Sequence, residues 1–169
     1  MPMETIYEAS ISSPLGRITV RTSDQGIREV ALGDRIASRE RESDYVKLNG
    51  QKSSGARWAR QAARELEEYA AGRRTEFSVP LDVNGTAFQK KVWRALLTIP
   101  YGETRSYGEI ARQVGNPKAA RAVGMANHHN PVAIVVPCHR VIASDGSLGG
   151  YAGGLQKKSQ ILQMEKSHS

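Results

Sequence analysis

The chain has 169 residues, one cysteine, four histidines and a formal net charge of +7, with 24 Lys and Arg against 17 Asp and Glu. That length suits one domain or two small packed ones with enough chain to bury a core, and one cysteine excludes an internal disulfide or a Cys-rich zinc site. No apolar run approaches the ~20 residues of a membrane span, and Met1-Pro2-Met3-Glu4-Thr5 lacks a basic-then-apolar leader, so the chain reads as soluble and cytoplasmic, with no membrane partner.

Ile6 to Ser13, Leu15 to Thr22 and Ile27 to Leu32 are short β-rich runs separated by Ser-Pro-Leu-Gly and Ser-Asp-Gln-Gly turns, which predicts a three-stranded antiparallel meander. From Gly33 to Gly55 the sequence is polar and charged with little periodicity and reads as a surface loop or a poorly ordered connection. Arg57 to Arg73 places Trp58, Ala62, Leu66, Tyr69 and Ala70 at helical spacing, an amphipathic helix able to cover the meander. Phe77 to Val83 is an extended link, and the expected domains are residues 1–80 and 81–169.

In the second half Thr86 can cap a helix carrying Phe88, Val92, Ala95, Leu96 and Ile99 until Pro100 stops it. Ser106-Tyr107-Gly108-Glu109 has capping-box spacing and opens a short helix through Val114, which Gly115 can end. Pro117 suits the first position of a helix running to Asn127. Two short helices joined by Gly115-Asn116 make a helix-turn-helix, and the second has small residues around the single Arg121, so its backbone can approach a groove closely. Tight packing on a neighbouring helix would use the same small residues. Residues 1–84 carry 13 basic and 13 acidic side chains, whereas residues 85–169 carry 11 and 4, so the whole excess charge sits in the second half. Nucleic acid is the commonest partner for such a surface.

That half also holds Asn130-Pro131-Val132-Ala133-Ile134-Val135-Val136-Pro137-Cys138-His139-Arg140-Val141-Ile142. The apolar run reads as a buried strand that leaves its sheet at Pro137 and delivers the lone cysteine. The neighbouring His139 and Arg140 would favour thiolate. Adjacent residues of an extended chain point to opposite sides, so His139 would need a bridging water or a turned backbone to reach Cys138.

Pro137-Cys138-His139-Arg140-Val141, with Asn130-Pro131 before it and Gly149-Gly150-Tyr151-Ala152-Gly153-Gly154-Leu155 after it, strongly resembles the active-site region of O6-alkylguanine-DNA alkyltransferases. The resemblance runs from about Gly85 to Glu165. It implies a mixed α/β (α+β) fold: a ribonuclease H-like N-terminal domain, then a mainly helical, winged helix-turn-helix-like domain. It implies irreversible, single-turnover transfer of an alkyl group from O6 of guanine, and from O4 of thymine, onto Cys138. No cofactor and no metal are implied. The partner would be double-stranded DNA bound through its minor groove by a monomer, with cooperative loading left open.

By the same resemblance, Glu165, His139 and a water would relay the proton of Cys138 while Asn130 supports its turn. Tyr107 would rotate a phosphate and donate to N3 of the base. Arg121 would fill the gap left by the extruded nucleotide, with Lys118, Ala120 and Gly124 against the DNA. Val141, Tyr151, Ala152, Ser144 and Met125 would form the base pocket: carbonyls of Cys138 and Val141 would accept from the exocyclic amine and the Ala152 amide would donate to O6. Ala152 and Ala133 replace a serine and a proline found in some relatives, which changes pocket shape. Two other classes compete: a non-catalytic lesion-binding module, which would lack the cysteine, and a Cys-His hydrolase, whose histidine usually lies far away in sequence.

Overall fold

The computed structural model describes residues 4–33, 45–46 and 52–169. The chain divides into two compact units, Met1–Val83 and Asn84–Ser169.

In the first unit, alternating β-rich runs give β1 (Ile6–Ser13), β2 (Gly16–Ser23) and β3 (Gly26–Leu32) as an antiparallel meander. The register runs from Tyr7 opposite Thr22 to Ser13 opposite Gly16. The hairpin holds because Ser13 Oγ donates to Gly16 O at 2.7 Å and accepts from Leu15 N–H at 3.1 Å. The sheet has one strand more than the sequence predicts: β4 (Tyr45–Val46) pairs parallel to β1, giving the order β3-β2-β1-β4. This corrects the reading of 33–55 as a loop, and two residues are too few for alternation to register. Residues 34–44 and 47–51 of that stretch lie outside the described residues.

Helix α1 (Ser54–Ala70) starts three residues earlier than its apolar spacing indicates, because Ser53 caps it by accepting from Ala56 N–H. Its buried face carries Ala59, Ala62, Leu66, Tyr69 and Ala70. Small residues here let the helix lie close to the sheet. A side chain at Gly55 would meet the Tyr7 ring at 2.5 Å, and Thr22 Oγ1 donates to Gly55 O at 2.6 Å.

The second unit opens with α2 (Ala87–Leu96), where Thr86 and Gln89 form a reciprocal capping box. Ser106 and Glu109 repeat the device at α3 (Tyr107–Gln113). Gly115, at φ 86°, turns the chain toward α4 (Ala120–His128). This last helix begins three residues later than Pro117 suggests. Ala119 N–H donates to Asn116 O, so Pro117 and Lys118 sit in a separate turn, and no side chain caps the helix start. Val123 and Ala126 face the core, where the Trp93 indole donates to Ala126 O at 2.9 Å. Burying Val123 fully contributes about 1.5–3 kcal/mol.

A two-stranded parallel ribbon joins β5 (Arg105–Ser106) to β6 (Val141–Ile142), and α5 (Leu155–Ser167) completes the unit. The apolar run before Cys138 is not a strand. Asn130 Nδ2 donates to Val136 O and Asn130 Oδ1 accepts from Val132 N–H, and Val136 N–H donates to Val132 O, so the segment folds into consecutive turns. Ile134 takes a left-handed backbone, φ 71°, within it. The burial is real, with Val132, Ile134 and Val136 all 1% exposed or less. Continuous burial alone does not separate a strand from a packed turn.

Candidate active site

Those turns deliver Cys138 at the start of a one-turn 3-10 helix, Cys138–Arg140. The backbone here is turned, so the alternation expected of an extended chain does not apply. His139 and Arg140 both reach Glu165, twenty-five or more residues away on α5. Glu165 is fully buried and each of its oxygens meets two nitrogens. Oε2 lies 2.8 Å from His139 Nε2 and accepts from Arg140 Nη2 at 2.9 Å. Oε1 accepts from Arg140 Nε at 2.9 Å and from Gly102 N–H at 3.3 Å. The remaining Arg140 Nη1 donates to Ile99 O at 2.8 Å.

This arrangement decides the state of the histidine. Against a carboxylate, Nε2 carries the hydrogen, which leaves Nδ1 as a base. Nδ1 is buried and has no hydrogen-bond partner among the described residues. Burial holds the His139 ring below the usual histidine pKa, opposed by the Glu165 hydrogen bond and charge, so the ring is neutral near pH 7.

Cys138 lines a cavity of about 740 Å³ with Tyr107, Ala120, Arg121, Gly124, Met125, Tyr151 and Ala152, joined by Asn127, His128 and Gly150. Tyr107, the first residue of α3, packs on Gly149 so closely that a side chain there would meet its hydroxyl at 2.6 Å, and Gly149 also has φ 70°. A glycine is needed twice over. Tyr107 shares a backbone hydrogen bond with Gly150, which fixes the ring across the cavity.

Residues 87–167 match the family described as 6-O-methylguanine DNA methyltransferase, DNA binding domain, and residues 6–83 match its ribonuclease-like domain. The chain belongs to this family. A methylated-DNA--protein-cysteine methyltransferase of Mycolicibacterium paratuberculosis is 48% identical over 160 residues, covering 95% of this chain and 92% of that protein. One from Methanosarcina acetivorans is 46% identical over 162 residues, covering 96% and 99%. The crystal structure of the Mycobacterium tuberculosis O6-methylguanine methyltransferase superposes with a TM-score of 0.84 at 44% identity, covering 98% of this chain and 95% of that one. The same organism's protein in complex with DNA gives 0.83 at 46% identity, covering 96% and 94%.

Set against the alkyltransferase pattern, the structure brings eight of the fourteen anticipated residues to the lining of one cavity and leaves six outside it. Lys118 and Ser144 are exposed in turns, and Val141 is buried behind the wall. Ser144 leaves because Ala143 N–H donates to Ser147 O and closes a tight turn pointing outward. Asn130, His139 and Glu165 stand behind Cys138, outside the cavity lining.

The electrostatics depart from the expectation that cationic neighbours favour thiolate. Burial pushes the Cys138 thiol up, and the Asn130 amide and Lys158 charge only partly oppose this. His139 is neutral and Arg140 is spent on Glu165, so neither supplies the free positive charge that the sequence suggests. That charge comes from Lys158, which sequence reasoning missed. Its ammonium is fully buried and donates to Val141 O at 2.6 Å, Leu148 O at 2.5 Å and Gly150 O at 3.1 Å, and burial lowers its pKa to about 8. It ties β6 to the segment bearing the cavity wall. A lysine beside another lysine on a polar helix gives no local sign of this, and Arg140 showed only as a neighbour of the cysteine.

Proposed function

We propose that the protein repairs DNA directly, moving the alkyl group of O6-alkylguanine onto its own Cys138. The observation that carries this is a single cysteine at the wall of a cavity roomy enough for an extruded base, backed by a buried Glu165–His139 pair whose free ring nitrogen is a base.

Within duplex DNA the O6 substituent is stacked among bases, so the nucleotide must leave the helix before sulfur can approach its carbon. α4 presents Ala120 and Gly124 where a groove wall would lie close, and Arg121 is exposed at the cavity edge to fill the space of the extruded base. The minor groove suits this small-residue helix. Lys118, exposed just ahead of α4, faces solvent where a phosphate can meet it.

With the base seated, the thiol proton passes through one water to His139 Nδ1, and Glu165 holds the resulting imidazolium. Cys138 sulfur then forms a bond to the alkyl carbon as the carbon–O6 bond breaks. The electron pair leaves on the guanine, and Tyr107 steadies that charge by donating to N3. The Ala152 amide donates to O6, with Tyr151 and Met125 as walls. O4-alkylthymine would follow the same path. The thioether has no hydrolytic route, so each molecule reacts once, as a monomer and without a cofactor.

The test is intact and peptide mass after incubation with an oligonucleotide containing O6-methylguanine. The expected result is one methyl per protein, on Cys138, with guanine restored in the DNA. Methyl on any other residue, or continued turnover, would overturn the reading.

A further inference from the structure

α4 leaves a large apolar side chain in water at the mouth of the site. Val123 and Ala126 are buried and turn one face of the helix to the core. Arg121, Met125 and His128 stand at i, i+4 and i+7, so they share the opposite face. All three are exposed, and all three lie at the cavity that Cys138 lines. Met125 is 57% exposed. Leu97 and Leu155 are the other large apolar side chains left in water among the described residues, and neither lines the cavity. The exposed thioether therefore stands one helical turn from Arg121, on the face that a groove would meet.

We propose that Met125 is a positioning residue for repair of duplex DNA: it enters the base stack beside the vacated position as an apolar wedge, while Arg121 fills the gap left by the nucleotide. The inference rests on the repair function proposed above. Extruding a nucleotide strips each neighbouring base of a stacking partner, and the faces left bare are largely apolar. The Arg121 guanidinium brings charge and hydrogen-bond donors to the gap but little apolar surface. A methionine brings polarisable apolar surface, and it is among the side chains that proteins insert between base steps from the minor groove. The exposed surface of Met125 can be buried against a base only once the step has opened, so its burial favours the extruded state over the stacked one. The covered part of the same side chain remains a wall of the cavity.

The chemistry of the residue also suits a lesion that arises in any sequence. Three rotatable bonds let a methionine fit whichever bases flank the site, whereas a rigid aromatic wedge would favour some steps over others. On a single strand there is no paired stack to open, and the wedge has nothing to act on.

The test compares single-turnover rates, at saturating protein, on O6-methylguanine in duplex and in single-stranded oligonucleotides. Met125→Ala removes the wedge, Met125→Gln keeps its length but not its apolar surface, and Met125→Leu keeps its apolar volume. With about half of a buried methionine's worth at stake, the Ala and Gln variants should react roughly 5- to 20-fold more slowly on duplex. On single strands they should match wild type, which also shows that each variant is folded and its site intact. The Leu variant should stay close to wild type on both substrates. Equal losses on duplex and single strand would make Met125 a pocket wall alone and overturn the inference while repair stands. So would an unchanged duplex rate in the Ala variant, or a Leu variant as slow as Ala. If wild-type Cys138 takes no methyl from either substrate, the repair reading falls and takes this inference with it.

Discussion

Glu165→Gln tests the buried network most sharply, because every way of placing the new amide conflicts with a donor. In the wild type each carboxylate oxygen faces two nitrogens: Arg140 Nε and Gly102 N at Oε1, Arg140 Nη2 and His139 Nε2 at Oε2. A glutamine NH2 at the first position meets two N–H groups that cannot turn. At the second it meets one such N–H, and His139 can only adapt by moving its hydrogen to Nδ1, which removes the base. Arg140 meanwhile stays buried without its counter-ion. Breaking a buried pair in this way costs about 3–5 kcal/mol. With a urea slope of ~1–3 kcal/mol/M, the midpoint should fall by about 1 M or more. Unfolding can be followed by Trp93 fluorescence in a Trp58→Phe background, which reports on the C-terminal unit. The single-turnover rate under native conditions should fall by roughly 10²- to 10⁴-fold, the usual worth of general-base assistance. Glu165→Gln combined with Arg140→Met should recover part of the stability and little of the rate, since the stranded cation is gone but the carboxylate that holds the imidazolium is still missing. A variant that melts like wild type, or a double variant whose stability losses simply add, would refute the network argument.

His139→Ala combined with Glu165→Gln should react no more slowly than the worse single variant, as judged by single-turnover kinetics, because residues acting as one unit are not additive. Arg121→Ala should weaken repair of duplex lesions far more than of single-stranded ones, measured as a ratio of rates; equal losses would put Arg121 in the chemistry. Binding to undamaged DNA should weaken steeply with salt in a titration, because the net charge of +7 lies wholly within residues 85–169. His139 has a folded-state pKa below its ordinary ~6.5, so the unfolded chain binds the extra proton first. Its contribution to stability is therefore complete above pH ~6.5 and lost as pH falls through the folded value, which a series of thermal melts from pH 7.5 to 5 should show.

Elements defined by local chemistry were legible. The meander follows from β-rich alternation broken by turn residues, and α2 and α3 announce themselves through Thr86-x-x-Gln89 and Ser106-x-x-Glu109. Elements defined by distant partners were not. β4 exists because β1 offers an edge, and the Pro131–Pro137 run folds into turns because Asn130 spans it with two side-chain hydrogen bonds. The site divides the same way. Cys138 and His139 stand out as residues, whereas Glu165 could be singled out only through the alkyltransferase pattern, since nothing in a helix of lysines and glutamines marks one glutamate as buried. Lys158 lacked even that. A buried ammonium held by three carbonyls becomes visible only when the chain is folded around it.

Both Glu165 and Lys158 belong to α5, so the site's readiness is tied to whether that helix is docked. The ties of α5 to the rest of its unit are long-range in sequence: Glu165 meets Gly102 across 63 residues, and Lys158 reaches Val141 across 17. A transient undocking of α5 would release the base and loosen the pocket wall in one event, while the α3–α4 pair keeps its own packing. The protein would then hold DNA without being able to react, and amide hydrogen exchange in α5 would report the fraction of time it spends in that state.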